Sequence, residues 1–555
     1  MTGLLSKSFF TLGLIGGLHW VDILIIAAYL SLLVGIGAYF SAKQSSVEEF
    51  MRGGAGKFGW LALGFSLMAA LNSGGDYVQT PAVVYGIGMV FSMGFLSWVI
   101  LYPYITRVTV PFYRKLNIYS AYEYLEKRFD LTVRIIAASI FIMWRVGWMS
   151  MAIYVPCLAV NVITGNQLSI GFMVLCAGTV VTLYTMLGGM KAVFWTDVAQ
   201  FFIMFGGLGF TLYTVVSGVP GGLREVIEVA AATGKISLIA QTPALDGGGW
   251  WDAFSTYMTT EVTLFAIVLA VTLSRATAFT ADQVAIQRFQ SSGSIKESRQ
   301  SYIINAVSDT VWMFVLAFVG LALIAYYQHH ALPEGIRNDQ VFLHFIRNHF
   351  PIGITGLVIS AIFAASLSSI DAALNSSTSI IMVDFYNRLL KKRRGSIGNL
   401  DESESNRQLW LSRIVNLSLG LLMILIGSNL EQLGEIYQAA NKILGAFFGP
   451  LFGIFVLGMF SRRANSIGVV IGSLLGLLSS CFASFFSELP WLQHICGQWF
   501  GPKFVHLFAN ISWLWPSPIG ITVTLVAGYL ASRLVARSSG DQSPLTFREV
   551  MRQTA

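Results

Sequence analysis

Apolar runs of about 20 residues, each enough to cross about 30 Å of hydrocarbon as a helix, recur from Val21 to Val535. They centre near residues 31, 70, 98, 148, 178, 204, 272, 313, 368, 418, 446, 476 and 525. The pattern predicts an all-α polytopic membrane protein of about 13 transmembrane helices. One transmembrane domain is expected over residues 1–540: a leading helix at 20–41, a core at 57–461, and two trailing helices within 465–536. Residues 541–555 read as a cytoplasmic tail.

Two of these runs are interrupted by small and polar residues, one at Ala69-Ala70-Leu71-Asn72-Ser73-Gly74-Gly75-Asp76 and the other around Ser274-Arg275-Ala276-Thr277. They lie five spans apart and so run in opposite directions, as in a five-plus-five inverted repeat of the leucine-transporter type, where broken helices expose carbonyls at the midplane. A plain glycine kink is the alternative at Asn72 to Asp76. A third run, Ile362 to Tyr386, carries Ser368, Ser369, Asp371, Ser376, Ser377, Thr378 and Ser379, with no basic residue from Pro351 to Asn387. Hydroxyls and a carboxylate are costly in lipid and suit a hard cation such as sodium; a serine-rich packing face is the other reading.

With 55% hydrophobic and 11% charged residues in 555, the chain is too apolar for a soluble globule. Its net charge of +7 does not signal nucleic acid, because 26 of the 35 Lys and Arg fall on alternate loops. Those loops are taken as cytoplasmic, Arg288 to Arg299 and Lys391-Lys392-Arg393-Arg394 among them. The expectation is a multi-pass protein of the plasma membrane, in contact with the lipid bilayer, its amino terminus outside and its carboxyl terminus in the cytoplasm. Arg145, Arg275 and Lys442 stay within or near apolar runs. Cys157, Cys176, Cys481 and Cys496 show no metal-ligand spacing, and no secretory signal is evident.

Three segments resemble the sodium:solute symporter family of sodium-coupled sugar, proline, iodide, vitamin and sialic acid carriers: Gly188-Gly189-Met190-Lys191-Ala192-Val193-Phe194-Trp195-Thr196-Asp197-Val198-Ala199-Gln200; Ala281-Asp282-Gln283-Val284-Ala285-Ile286-Gln287-Arg288; and Ser368-Ser369 with Asn375. The resemblance implies a symporter whose sodium is held by the carbonyls of Ala69, Asn72 and Ala365 and the hydroxyls of Ser368 and Ser369. It implies a transported coupling ion and no organic cofactor. Asp197 resembles an aspartate that, in some members, completes a second sodium site with hydroxyls of core helix 8. Here Asp371 replaces one such hydroxyl, three residues after Ser368 and on the same face. Two facing carboxylates need a cation or a proton between them, so Asp197, Ser368 and Asp371 form a candidate second cation site. Protonation of Asp371 competes with that reading. So does a plain structural one, in which Asp197 caps a helix start and Asp371 pairs with a basic residue.

In the family, core helices 1, 2, 3, 6, 7 and 10 surround the solute. Alignment on Gly449-Pro450 and Asp282-Gln283 puts Lys442, Arg275 and Phe95 where hexose carriers have polar or acidic residues. Arg145 stands where the sialic acid branch has a carboxylate-binding arginine. Asp76 and Asp309 are available to neutralise these cations, and internal ion pairs are the alternative reading of all three. Trp144, Trp148 and Phe279 offer stacking faces. The candidate solute set is therefore Asp76, Phe95, Arg145, Arg275, Phe279 and Lys442, for an anionic or zwitterionic small molecule such as an acidic sugar or carboxylate. A neutral sugar or polyol carrier and a non-transporting membrane sensor are the alternatives. An intramembrane enzyme is disfavoured, since all seven histidines fall on predicted outer loops or helix ends.

Overall fold

The computed structural model describes residues 14–15, 18–41, 47–53, 58–116, 118–239, 249–391, 402–430, 436–535 and 545–552. Most of Lys391 to Glu404, read from sequence as a basic and acidic loop, lies outside the described residues.

Apart from one short antiparallel pair, Leu14–Ile15 with Leu18–His19, the described residues are helical or in connections. α1 (Trp20–Ser41) leads. α2 (Trp60–Leu71) and α3 (Gly74–Ile87) are the halves of a broken span, followed by α4 (Met89–Leu116), the short α5 (Ala121–Arg128) and α6 (Leu131–Ile163). α7 (Ile170–Ser217) covers 48 residues in two helical stretches that meet at a kink at Gly189. α8 (Trp250–Thr259) and α9 (Leu264–Thr280) meet at a 57° bend, and α10 (Gln283–Ser291) follows after a break. Further along the chain come α11 (Ile295–His329), α12 (Asn338–His349), α13 (Ile354–Leu390), α14 (Glu402–Gly427), α15 (Ile436–Phe460), α16 (Ser466–Phe485), α17 (Pro516–Leu534) and α18 (Phe547–Arg552), with shorter helices between.

Among the described residues, nine helices are long and apolar enough to cross a membrane, ten if α8 and α9 form one bent span. The thirteen runs read from the sequence all map onto helices of the structure, and the difference in number lies largely in how the helices are divided. The difference has three causes. The run near residue 70 is divided between α2 and α3, each too short alone. The runs near 178 and 204 are fused in α7, where Gly189 supplies the break at φ 55°, ψ −158°, a conformation only glycine adopts cheaply. The run near 525 is α17, whose 19 residues begin Pro-Ser-Pro and end at Ser532-Arg533-Leu534.

α13 is the centre of the packing: 94% of its most apolar window is buried. Its side chains therefore face protein on all sides, and lipid meets the outer helices such as α1. The two are joined by Asp22, whose Oδ1 accepts the N–H groups of Gly353 and Gly356, both at 2.8 Å, at the amino end of α13. Residues 545–552 pack against the bundle, where Tyr124 donates to the Leu545 carbonyl at 3.1 Å and Val550 is buried.

Gly189→Ala should lower the stability of the protein in detergent by about 1–3 kcal/mol, because alanine must hold a strained backbone there. A thermal melt by tryptophan fluorescence checks this, and an unchanged midpoint would show that the kink is not needed.

Candidate functional site

α2 stops at Leu71 because Asn72 (φ −101°, ψ 159°) and Ser73 (φ −133°, ψ 165°) are extended. α3 restarts with Asp76 in its first turn, accepting the Ser73 N–H at 2.7 Å and the Ser73 hydroxyl at 3.2 Å. The break lies against α13. Ser368 Oγ donates to the Ala69 carbonyl at 2.8 Å and shares that proton with the Ala365 carbonyl at 3.1 Å. The Gly74 N–H donates to Ser366 Oγ at 3.2 Å, and a Cβ on Gly74 would strike that oxygen and the Ile362 carbonyl. Ala69, Ala365 and Ser368 thus come together. Asn72 and Ser369 lie on the same two elements but bond within them, Asn72 Nδ2 to Met68 O at 3.0 Å and Ser369 Oγ to Ser366 O at 2.9 Å.

The two carboxylates behave differently. Asp197 Oδ2 accepts Arg288 Nη2 at 2.6 Å and Ser66 Oγ at 2.6 Å, and Arg288 Nε donates to Ser66 at 2.8 Å. Asp371 Oδ2 accepts Tyr184 OH at 2.8 Å and Thr196 Oγ1 at 3.1 Å. Asp197 therefore sits mid-helix and finds its cation in Arg288, while Asp371 is held by hydroxyls from both sides of the Gly189 kink. Among the described residues, no hydrogen bond joins Ser368 to either carboxylate. Arg288, counted from sequence with the cytoplasmic loop, is 1% exposed. The signal was its place at the end of the Ala281 to Arg288 motif, which a charge count by loop overrides. Asp197 Oδ1 and Asp371 Oδ1 are buried without a partner.

Beside the helix break is a cavity of about 270 Å³, lined in part by Asn72, Asp76, Trp98, Trp144, Arg145 and Trp148. Arg275, Phe279, Asp282, Asn305 and Asp309 also face it. The structure thus brings Asp76, Arg145, Arg275 and Phe279 together, as the sequence expected. It does not bring in Phe95 or Lys442. Phe95 ends a 3₁₀ stretch, Met89–Phe95, whose tighter winding turns Phe91 to the cavity and packs Phe95 edge-on against Phe314 at 5.3 Å. Lys442 pairs instead with Glu488 at 2.5 Å, and Glu488 is 61% exposed, so the ammonium stays near the hydrated edge.

Both guanidiniums in the cavity have carboxylate partners. Arg275 Nη2 lies 2.5 Å from Asp309 Oδ2, which also accepts Trp98 Nε1 at 2.7 Å, and Arg275 Nη1 bonds Gly94 O and Ser97 Oγ. Arg145 Nη2 bonds Asp282 Oδ2, its Nε has no partner, and the guanidinium stacks 4.2 Å over Trp144. The ion-pair reading is met for both, with Asp282, rather than Asp76, serving Arg145.

At one end of the cavity, the break between α9 and α10 is held to α4 and α5. Tyr113 and Tyr122 donate to the carbonyls of Thr280 and Ala281, the latter at 2.8 Å. Gln283 accepts the Ala121 N–H and donates to Tyr119 O, each at 2.9 Å. Arg134 joins Asp384 to Glu126, which Arg388 also holds at 2.5 Å. Burial pushes the Glu126 carboxyl up, and the guanidiniums of Arg388 and Arg134 outweigh it and leave it below the ordinary glutamate range. On the opposite rim stand Phe91, Ile267, Val271, Trp513 and Leu514. Among the described residues, no three His, Cys, Asp or Glu side chains group to hold a metal ion. A cation here would rest on carbonyls and hydroxyls, with at most two carboxylates.

The sodium:solute symporter family model matches residues 50–476. The chain belongs to the sodium:solute symporter family. This symporter is 30% identical over 474 residues to the sodium/sialic acid symporter SiaT of Proteus mirabilis (strain HI4320), covering 85% of this chain and 90% of that one. It is 31% identical over 468 residues to the sodium-dependent multivitamin transporter of Oryctolagus cuniculus, covering 82% and 69%. A solved structure of a Na+-coupled sialic acid symporter, substrate-bound and outward-open, matches with a TM-score of 0.77 at 27% identity, covering 94% of this chain and 99% of that one. Near-equal identity to carriers of two different solutes leaves the solute to be argued from the cavity.

Removing Arg288 strands a buried carboxylate. Arg288→Met should cost about 3–5 kcal/mol of stability, and adding Asp197→Asn should return most of it. Melting midpoints of the single and double variants check this; equal loss in both would refute the pairing as the cause.

Proposed function

We propose that this symporter imports a small carboxylated solute, an acidic sugar first among them, together with sodium, by alternating access. Arg145 carries the reading. It is buried in the cavity wall, gives Nη2 to Asp282, and has an Nε with no acceptor. The cavity holds three carboxylates (Asp76, Asp282, Asp309) against two guanidiniums, so net charge alone does not draw an anion. Displacement does: Asp282 Oδ1 already accepts the Val284 N–H at 2.9 Å, so Asp282 keeps a partner when a solute carboxylate takes its place on Arg145. The likeness to sialic acid carriers, whose solute has a carboxylate, supports the same reading. A neutral sugar or polyol is the second reading, favoured by the carboxylate excess.

In this proposal the coupling sodium is held by the carbonyls of Ala69, Asn72 and Ala365 with the hydroxyls of Ser368 and Ser369, each turning from its present bond toward the ion. Such a site spans the break of α2 and α3 and the face of α13, beside the solute cavity. The ion would fix the geometry of Asn72 and Asp76, which line that cavity. Sodium and solute would then each raise the affinity for the other by one factor. A second cation, if one is used, would be held by Asp371, since Arg288 already neutralises Asp197. Taken as an inner seal, the contacts of Gln283 and Arg134, with Trp513 and Leu514 on the far rim, suit an outward-facing state. We further propose thirteen crossings, a five-plus-five repeat core within 57–461, a plasma-membrane location, an external amino terminus and a cytoplasmic carboxyl terminus. The family's carriers, rather than enzymes or sensors, set this direction.

Uptake of labelled sialic acids, sugars, amino acids and carboxylates into proteoliposomes tests the proposal. An inward sodium gradient should drive one acidic solute. Ser368→Ala with Ser369→Ala should raise the sodium concentration for half-maximal uptake at least tenfold. Arg145→Gln should raise the solute KM by about 10–100-fold, the worth of a charge-assisted hydrogen bond of about 1.5–3 kcal/mol. Uptake of every solute unaffected by sodium would end the proposal.

A further inference from the structure

Asn305 was not among the residues that the sequence singled out, and it stands apart in the cavity wall. It is 1% exposed, on α11, one turn before Asp309, and both its Nδ2 and its Oδ1 lack any hydrogen-bond partner. Other cavity residues, Trp144 Nε1, Arg145 Nε and Ser517 Oγ among them, leave a single polar atom orphaned. An amide with both donor and acceptor unused, buried between helices where lipid offers nothing, is costly unless a visiting molecule completes it. Its neighbours are already engaged: Asp309 by Arg275 and Trp98, and Asp76 by Ser73. Asn305 is therefore free to serve a ligand.

We infer that Asn305 reads the solute, its amide meeting a hydroxyl or acylamino group, which can donate and accept in one place. The inference rests on the cavity being the solute site, and it narrows the solute class. Arg145 asks for a carboxylate and Asn305 for a neutral hydrogen-bonding group, so the solute carries both. A short unsubstituted monocarboxylate engages only the first. A site built to pair a solute hydroxyl discriminates strongly against analogues that lack it.

The test uses the full-length symporter in proteoliposomes with sialic acid, butyrate and glucose as probes, comparing the parent protein with Asn305→Leu, close in size but apolar. Quenching of the cavity tryptophans reads binding, and a thermal melt with sodium titration in the absence of solute reads integrity. The expected result is a rise of about tenfold in KM for sialic acid, the equivalent of 1.4 kcal/mol, with butyrate binding, sodium affinity and the melt unchanged. Should Asn305→Leu misfold, Asn305→Ser keeps one hydroxyl and should show a smaller rise of the same selectivity. Equal loss for sialic acid and butyrate would make Asn305 structural and overturn the inference, as would no loss for either. Carriage of butyrate alone would also overturn it, while leaving the carboxylate reading standing. Carriage of glucose alone would end the carboxylate reading, and a tenfold loss of glucose affinity in Asn305→Leu would then uphold the amide's role. Carriage and binding of none of the three would overturn both.

Discussion

The Ser368 hydroxyl, 2.8 Å from the Ala69 carbonyl, joins the broken end of α2 to the polar helix α13, and the rest of the bundle is arranged to keep that contact away from lipid. A helix carrying Asp371 and a run of hydroxyls has no solvent in hydrocarbon, so its polar groups bond their own backbone, as Ser369 does, or take partners from neighbouring helices. α7 supplies Tyr184 and Thr196 for Asp371, α1 supplies Asp22 for the first N–H groups, and α2 supplies the carbonyl left open by its own termination. The Gly189 kink belongs to the same scheme, since it lets the two stretches of α7 present hydroxyls to one carboxylate. A helix break is tolerable at membrane depth only where such a partner waits, and its loose carbonyls suit an ion that must later be released.

Charge inside the bundle is managed by pairing. Arg288 with Asp197, Arg145 with Asp282, and Arg275 with Asp309 each bring opposite charges together out of water. A buried pair of this kind adds little net stability, because desolvation offsets most of the attraction, yet removing one partner is severe. The three pairs differ in what they leave over. Arg288 and Arg275 have several bonds each, whereas Arg145 has an unused Nε and lies in the cavity wall. An ion pair with spare donors can exchange its partner for a ligand carboxylate at modest cost.

The cavity and the contacts at its end share residues, so under the proposed function recognition is tied to gating. Asp282 touches Arg145 in the cavity, and its neighbour Gln283 clamps the backbone of the α4–α5 connection at Tyr119 and Ala121. Tyr113 and Tyr122 hold the carbonyls just before it. Any change of partner at Asp282 therefore acts at the start of α10, which Gln283 holds to Tyr119 and Ala121. Such adjacency is the physical requirement for a solute to influence the equilibrium between two states.

Much was legible in the chain itself. Apolar run length gave a multi-pass helical protein, interruption by Asn72, Ser73 and Gly74 gave the helix break, and a serine-rich helix without cations announced a polar interior, because these depend on local composition and on the cost of polar groups in lipid. The resemblance to the family's core helices, with the rule that charges within apolar runs face inward, gathered Asp76, Arg145, Arg275 and Phe279 near one cavity. What it could not give was partner choice. Which acid meets Arg145 or Arg288, whether Lys442 turns inward or toward Glu488, and how a 3₁₀ stretch exchanges Phe91 for Phe95 depend on distances of a few ångströms between segments remote in sequence. Asn305 makes the point most plainly: as one amide in a helix it carries no signal, and only the packing around it decides that its donor and acceptor have nothing to bond.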